Sequence, residues 1–140
     1  MTAPSSPWIV DHIGIVVADI DAAIGLYAAT AGTSVTHREK LLDRGVELAF
    51  LNTGGTRLEL LAPLKDDTPI ARFLAKHGPG LHHVCYKVDN IRAEMARLES
   101  LGAQLIDTTP RPGASGTIRA FIQPASFYGV LTELCEYTAS

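Results

Sequence analysis

Hydrophobic and polar positions follow two different periods along this chain, one typical of strands and one typical of helices. Residues 9–17 form an apolar, β-branched run, which predicts a buried strand. From residue 20 the apolar side chains recur every three or four positions. This spacing predicts a helix with Asp19 as its N-cap and Gly32 just beyond its end. Three further strands are predicted at residues 34–38, 46–51 and 56–61.

The same order of elements recurs in the second half of the chain. His12 and His83 occupy matching positions in similar segments 71 residues apart, and the same separation relates Phe50 to Phe121. Self-similarity at a fixed offset indicates an internal repeat. The repeat predicts a strand, a helix and three more strands, in that order, at residues 82–88, 91–101, 104–106, 117–122 and 130–136.

The repeat favours an α+β fold built from two tandem βαβββ modules, with curved mixed sheets around a central site. We expect the first module at residues 8–62 and the second at residues 80–137, as parts of one structural domain. In the linker at residues 63–79, Thr68 is followed by Pro69, and this pair predicts the start of a short helix. Residues 110–116 are rich in proline and glycine, which predicts a mobile loop near a site.

Composition and charge argue against several classes of protein. The chain has 140 residues, of which 46% are hydrophobic and 19% charged, as in ordinary globular domains. Its formal charge of −3, without a Lys/Arg cluster, argues against nucleic-acid binding. No apolar run is long enough to span a bilayer, and residues 1–7 lack the features of a signal peptide. Because Cys85 and Cys135 lie in apolar segments, we expect reduced thiols in a cytoplasmic protein.

Two histidines and two glutamates occupy equivalent places in the repeat. His12 matches His83, and Glu59 matches Glu133 with an offset of 74 residues. Taken singly, such a histidine is more often a hydrogen-bonded core residue, and such a glutamate more often faces solvent. A buried carboxylate, however, is costly unless it is paired or binds a cation. The coincidence of all four therefore favours a divalent metal site, with His82 as the competitor for the His83 position.

This ligand pattern within paired βαβββ modules resembles the vicinal oxygen chelate superfamily, and within it the chain resembles the methylmalonyl-CoA epimerases. The resemblance extends from residue 8 to residue 137. Residues 67–77 also fit the linker helix of that family. The segments that carry the resemblance are residues 11–17, 56–64, 80–84, 88–91 and 129–134.

The resemblance implies an enzyme that interconverts the C2 epimers of methylmalonyl-CoA, or of a close 2-substituted malonyl-CoA, through an enolate stabilised by a metal ion. The implied ligands are His12, Glu59, His83 and Glu133. Co²⁺ is the first expectation, with Mn²⁺, Ni²⁺ and Zn²⁺ as alternatives. Glu133 is implied as one base, and Glu47 is a candidate for the other, with an outward-facing charge as the alternative. A homodimer is also implied.

Departures from the family pattern bear on the acyl-CoA that is bound. Ser115 stands where the family often has a histidine, and residues 123–125 read Gln-Pro-Ala in place of His-Pro-Lys. Phe127 and Tyr128 stand where small residues are common. These changes remove polar groups that would contact a substrate carboxylate or the phosphates of CoA, and they leave the metal ligands intact.

Two other classes of protein stay open. One is another metal-dependent member of the superfamily, either a glyoxalase-like isomerase or a ring-cleaving dioxygenase. A dioxygenase with two histidines and one glutamate would leave Glu59 without a role. The other is a metal-free small-molecule-binding or resistance protein, which would not need the four ligands. Metal analysis separates the binding protein from the enzymes, and a substrate panel separates the enzymes from each other.

Overall fold

The computed structural model describes residues 3, 4 and 6–138 of the chain. Within these residues it contains three α-helices and eight strands. The helices are α1 (Ile20–Ala31), α2 (Pro69–His77) and α3 (Ile91–Ser100). The strands are β1 (Ile9–Val16), β2 (Val35–Leu41), β3 (Val46–Leu51), β4 (Arg57–Pro63), β5 (Gly80–Lys87), β6 (Arg111–Pro112), β7 (Thr117–Ile122) and β8 (Thr132–Tyr137).

Each helix begins at a polar side chain that caps it. The side chains of Asp19, Thr68 and Asn90 accept hydrogen bonds from backbone N–H groups in the first turns of α1, α2 and α3. These bonds satisfy donors that have no partner within the helix. Gly32 ends α1 in the left-handed conformation, with φ of 68°, which glycine adopts without steric cost. The predicted limits of α1 are confirmed.

The chain divides into two compact units. The contiguous unit comprises residues 12–82, and the split unit comprises the chain up to Asp11 together with the chain from His83 onward. In the contiguous unit the strand order is β2-β3-β4-β1, with β1 and β4 parallel and the other pairs antiparallel. In the split unit the order is β5-β8-β7-β6, with β5 and β8 parallel.

The two halves of the chain therefore share the order strand, helix and three strands, with the first and last strands paired in parallel. The predicted α+β fold with two βαβββ modules and mixed sheets is confirmed. The module boundaries proposed at residues 8–62, 63–79 and 80–137 stay a prediction.

One predicted strand is wrong. Residues 104–106 form only an isolated bridge, between Leu105 and Ile122. The backbone N–H groups of Ile106 and Asp107 both donate to the carbonyl oxygen of Phe121, so the chain turns there and the pairing does not extend. The second strand of this module is instead β6, which lies within the segment predicted to be a loop.

Helices α1 and α3 each pack on one face of the sheet in their own unit. In the contiguous unit, Ile20 of α1 lies in a buried cluster with four sheet residues, Ala49, Leu51, Leu60 and Ala62. In the split unit, three residues of α3 are buried against β7 and β8, and the full set of that cluster is Val88, Ile91, Met95, Leu98, Ala120, Ile122 and Leu134. Side chains that alternate with these along the strands point to the face away from the helices.

Trp8 anchors the segment before β1 to α3 in the split unit. Its indole Nε1 donates a hydrogen bond to Oε1 of Glu94 at 2.5 Å, and its ring packs against Tyr86 and Phe127. Arg97 donates to the other carboxylate oxygen of Glu94 at 3.0 Å. The hydrogen bond from Arg97, assisted by that from Trp8, holds the pKa of the Glu94 carboxyl below its ordinary value.

Both cysteines are buried and free, as expected for reduced core thiols. Burial raises the pKa of the Cys85 thiol far above its ordinary value, so it stays protonated at neutral pH. Among the described residues, no helix is both long enough and apolar enough to cross a membrane.

Candidate active site

The strand register brings His12 and Glu59 together in the contiguous unit. In the parallel pair β1–β4, Gly14 stands opposite Glu59, and His12 lies two residues before Gly14 on the same face. In the antiparallel pair β3–β4, Phe50 stands opposite Glu59. His12, Phe50 and Glu59 therefore share the face of the sheet that α1 does not cover.

On this face, Nε2 of His12 lies 3.4 Å from Oε1 of Glu59, and both side chains are buried. The ring of Phe50 meets the imidazole of His12 edge to face, with 5.2 Å between ring centroids. This packing limits the rotation of the imidazole. The guanidinium carbon Cζ of Arg57 lies over the ring of Phe50, 4.0 Å from the ring centroid.

The split unit repeats this arrangement around His83 and Glu133. Cys85 stands opposite Glu133 in the pair β5–β8, and Phe121 stands opposite Glu133 in the pair β7–β8. Nε2 of His83 lies 3.1 Å from Oε1 of Glu133, and both side chains are buried. Phe121 again meets the imidazole edge to face, with 5.5 Å between centroids. Arg119 lies over the Phe121 ring at 5.2 Å.

Each His–Glu pair has the spacing of neighbouring metal ligands. Atoms bound at about 2.1 Å to one ion lie roughly 3.0–3.4 Å apart when the angle between them is between a right angle and the tetrahedral angle. The separations of 3.4 Å and 3.1 Å fit this range. His12, His83 and Glu133 are all buried and offer donor atoms that could bind a metal ion. Imidazole nitrogen and carboxylate oxygen together suit a divalent transition metal.

His82 points away from this face. Adjacent residues of a strand alternate between faces, so His82 and His83 lie on opposite sides of β5. The ring of His82 meets Phe73 of α2 edge to face, with 5.0 Å between centroids. His77 packs on the same phenyl ring at 4.8 Å. His82 is therefore part of the packing of the linker helix within the contiguous unit.

Glu47 and Phe50 are three positions apart in β3, and side chains alternate between the faces of a strand, so Glu47 lies on the face opposite to Phe50. On that face, Oε2 of Glu47 accepts a hydrogen bond from Nε of Arg38 at 2.9 Å. Arg38 also donates to Asp21 of α1 at 2.7 Å, and this contact holds the pKa of the Asp21 carboxyl below its usual range. These contacts favour the interpretation of Glu47 as a paired surface charge. The catalytic role predicted for it stays a prediction.

Asp107 has a role for which the sequence pattern gives no prediction. One carboxylate oxygen accepts from Nη1 of Arg119 at 3.1 Å and from the backbone N–H of Phe121 at 2.8 Å. The other accepts from Nε of Arg111 at 3.0 Å. Asp107 thus holds the buried Arg119 over Phe121, which packs on His83. Arg119 would have pointed to a carboxylate partner only if its burial had been known, because a buried arginine needs such a partner.

Comparison with known proteins agrees with this fold. A family model described as the glyoxalase/bleomycin resistance protein/dioxygenase superfamily matches residues 11–121. The chain therefore belongs to that superfamily.

Two relatives with assigned activities narrow the position within the superfamily. The ethylmalonyl-CoA/methylmalonyl-CoA epimerase of Cereibacter sphaeroides is 39% identical over 126 residues, which cover 89% of this chain and 94% of the relative. The crystal structure of methylmalonyl-CoA epimerase from Mycobacterium tuberculosis matches with a TM-score of 0.91 and 37% identity, over 99% of this chain and 94% of that one.

A third match is a methylmalonyl-CoA epimerase in complex with methylmalonyl-CoA and NH4⁺, with a TM-score of 0.89 and 35% identity over 96% of this chain and 97% of that one. Within the superfamily, the chain is a methylmalonyl-CoA epimerase-like enzyme.

Proposed function

We propose that this enzyme interconverts the C2 epimers of methylmalonyl-CoA, or of a close 2-substituted malonyl-CoA. The observation that carries the proposal is the equivalence of the two buried pairs, His12 with Glu59 and His83 with Glu133, in a chain whose relatives are named as epimerases of these thioesters. Neither a core histidine nor a surface glutamate explains why both pairs recur at matching register positions.

We propose further that these four side chains hold one divalent metal ion, with Co²⁺ as the first expectation and Mn²⁺, Ni²⁺ or Zn²⁺ as alternatives. The burial of both carboxylates supports this, because a buried carboxylate is costly unless it is paired or bound to a cation. Once bound, such an ion would act as a Lewis acid on the negative charge that develops on the substrate oxygens.

The reaction requires side chains of the protein to transfer a proton. Epimerisation removes the hydrogen from C2 of the acyl group and returns it on the opposite face. We propose Glu133 as one of the groups that accepts and returns this proton, since a carboxylate can bind a metal through one oxygen and take a proton on the other. Its burial excludes bulk water, which would otherwise compete as proton donor.

The neighbours of these ligands serve to orient them. Phe50 and Phe121 pack edge to face with His12 and His83, and this packing restricts the rotation of each imidazole. Metal ligands that are held in fixed positions reduce the reorganisation needed when charge develops on the substrate.

We propose further that the protein is a cytoplasmic homodimer. Its partner is a small acyl-CoA, and it binds neither nucleic acid nor membrane. Support for the acyl-CoA comes from the relatives, and support for the lack of nucleic-acid binding comes from the formal charge of −3. Light scattering across the micromolar range tests the dimer, and a monomer there would remove that part of the proposal alone.

The decisive experiment follows solvent deuterium into C2. Metal-replete protein is incubated in deuterated water with methylmalonyl-CoA, ethylmalonyl-CoA and unsubstituted malonyl-CoA, and exchange and inversion are measured together with the metal content of the same sample. We expect one metal ion per chain, with exchange and inversion of a 2-substituted substrate. A metal-replete protein that does not exchange the C2 hydrogen of any of these substrates would exclude the epimerase function.

A further inference from the structure

His37 lies on the sheet face that carries His12 and Glu59, which we call the ligand face of the contiguous unit. Phe50 stands opposite Glu59 in the pair β3–β4 and opposite His37 in the pair β2–β3. Directly opposed residues of antiparallel strands share a face, so Glu59, Phe50 and His37 form one row across three strands. The Phe50 ring that meets His12 edge to face also lies against the imidazole of His37, with 6.3 Å between centroids.

A carboxylate orients this imidazole. Glu39 lies two residues after His37 in β2, on the same face, and its Oε1 lies 2.9 Å from Nε2 of His37. An ionised carboxylate only accepts hydrogen bonds, so Nε2 is the donor and the neutral ring carries its lone pair on Nδ1. Within the part of the chain that the structure describes, Nδ1 makes no hydrogen bond and is not enclosed.

Exposure distinguishes this pair from the proposed metal ligands on the same face. The side chain of His37 is 39% exposed and that of Glu39 is 31% exposed. The corresponding values for His12 and Glu59 are 7% and 8%. His37 and Glu39 therefore border on open space, where an imidazole can meet a substrate and exchange its proton with water.

We propose that His37, oriented by Glu39, is the second proton-transfer group of this enzyme; this inference rests on the proposed epimerase function. Inversion requires one group for each face of C2, and Glu133 is proposed for one of them. Within β2 and β3, which the structure describes in full, His37 and Glu39 are the only titratable side chains on the ligand face. Glu47 lies on the helix-covered face and binds Arg38 there.

The proton count balances over one inversion. In one direction the C2–H bond breaks as Glu133 takes the proton, and the electron pair is delocalised into the acyl group. A new C2–H bond forms on the other face as the Nδ1–H of the His37 imidazolium gives up its proton. In the reverse direction the lone pair on Nδ1 is the base and protonated Glu133 is the acid. Exchange with solvent restores both groups, and Glu39 stabilises the imidazolium.

The test separates exchange of the C2 hydrogen from inversion. Each epimer of methylmalonyl-CoA is incubated separately with metal-replete protein in deuterated water. We expect His37→Gln, whose amide cannot carry the proton, to lower the rate of inversion about 10²–10⁴-fold. Deuterium should still enter the epimer on which Glu133 acts, with retention of configuration. Glu39→Gln keeps the imidazole but loses the carboxylate, so it should show the same pattern with a smaller loss of inversion.

His77→Gln is the matched control. It makes the same change in another histidine of the contiguous unit, whose imidazole packs on Phe73 of α2. We expect this variant to exchange and invert at the wild-type rates.

A binding measurement adds a readout that does not depend on turnover. Malonyl-CoA is added to the wild-type protein, and the NMR signals of the imidazole rings are followed after sequential assignment. We expect the signals of His37 to shift and those of His77 to stay in place. Signals of His37 that do not respond to saturating malonyl-CoA would overturn the inference.

Two kinetic results would also overturn it. One is inversion at the wild-type rate in a folded His37→Gln variant. The other is an equal loss of exchange and inversion with both epimers, which would assign His37 a purely structural role. If His37→Gln does not fold, Glu39→Gln with a wild-type unfolding midpoint decides by the same criteria.

These results are distinct from a failure of the proposed function. A wild-type protein that inverts methylmalonyl-CoA, together with a His37→Gln variant that inverts it equally fast, would retain the epimerase and reject the role of His37. A wild-type protein that exchanges no C2 hydrogen would reject the proposed function itself.

Discussion

Nε2 of His83 lies 3.1 Å from Oε1 of Glu133, where a buried imidazole and a buried carboxylate share one face of the sheet. The register between β5 and β8 creates this contact, and the same register turns the neighbouring His82 to the other side of β5. The two adjacent histidines should therefore respond very differently to mutation.

We predict that His83→Ala loses the bound metal and that His82→Ala retains most of it. Loss of a direct ligand removes a coordinate bond, whereas residues outside the ligand set typically change affinity by only about 10–100-fold. Metal content after loading with Co²⁺ and dialysis, measured by mass spectrometry, distinguishes the two variants. A His82→Ala variant without metal next to a fully loaded His83→Ala variant would contradict the proposed ligand set.

We predict that the Glu133→Gln variant folds normally and that its rate of C2 hydrogen exchange falls about 10²–10⁴-fold. The reason is that an amide offers an oxygen to the metal but cannot accept the proton. The measurement is the rate of deuterium incorporation from solvent. Glu99→Gln, an identical change at an exposed position on α3, serves as the control and should exchange normally. Full activity of Glu133→Gln would assign the base to another residue.

We predict that Glu47→Gln inverts the substrate at a rate within about twofold of the wild type, since Glu47 lies on the helix-covered face in contact with Arg38. Chiral analysis of the product, alongside deuterium incorporation, provides the readout. Exchange into one epimer without inversion would instead assign Glu47 to the second face of C2, which is the catalytic role predicted from the sequence.

We predict that Glu94→Gln lowers the free energy of unfolding by about 1–3 kcal/mol at pH 7. The folded protein depresses the pKa of Glu94, so this stabilisation is fully present above the ordinary glutamate pKa of about 4.3 and is lost as the pH falls through the lower folded value. Urea unfolding at pH 7 and at pH 3 measures the effect. The difference between the variant and the wild type should be smaller at pH 3, and an equal difference at both values would contradict the titration.

Much of the fold could be predicted because its signals are local. Asp19, Thr68 and Asn90 cap helices whose first turns follow immediately in the sequence, so each start can be inferred from adjacent residues. The repeat also locates the candidate ligands, since His12 and His83 stand at the same offset as Phe50 and Phe121. The structure places each of these phenyl rings against the corresponding imidazole.

The features that could not be predicted depend on contacts between distant residues. Asp107 binds Arg119, 12 residues further along the chain, and Trp8 binds Glu94, 86 residues further along. Neither pair has a sequence pattern of its own. The orientation of Glu47 depends on strand register, which a single sequence leaves open by one residue. The isolated bridge at Leu105 has the composition of a strand but lacks the length for a ladder.

The division of the chain into a contiguous and a split unit has a consequence for synthesis and folding. The contiguous unit, residues 12–82, is complete as soon as its own segment has left the ribosome. The split unit needs the segment that ends at Asp11 and residues from His83 onward, so its earliest residues must wait for its last strand. Pairings of such long sequence separation form slowly. The split unit should therefore reach its native contacts after the contiguous unit does.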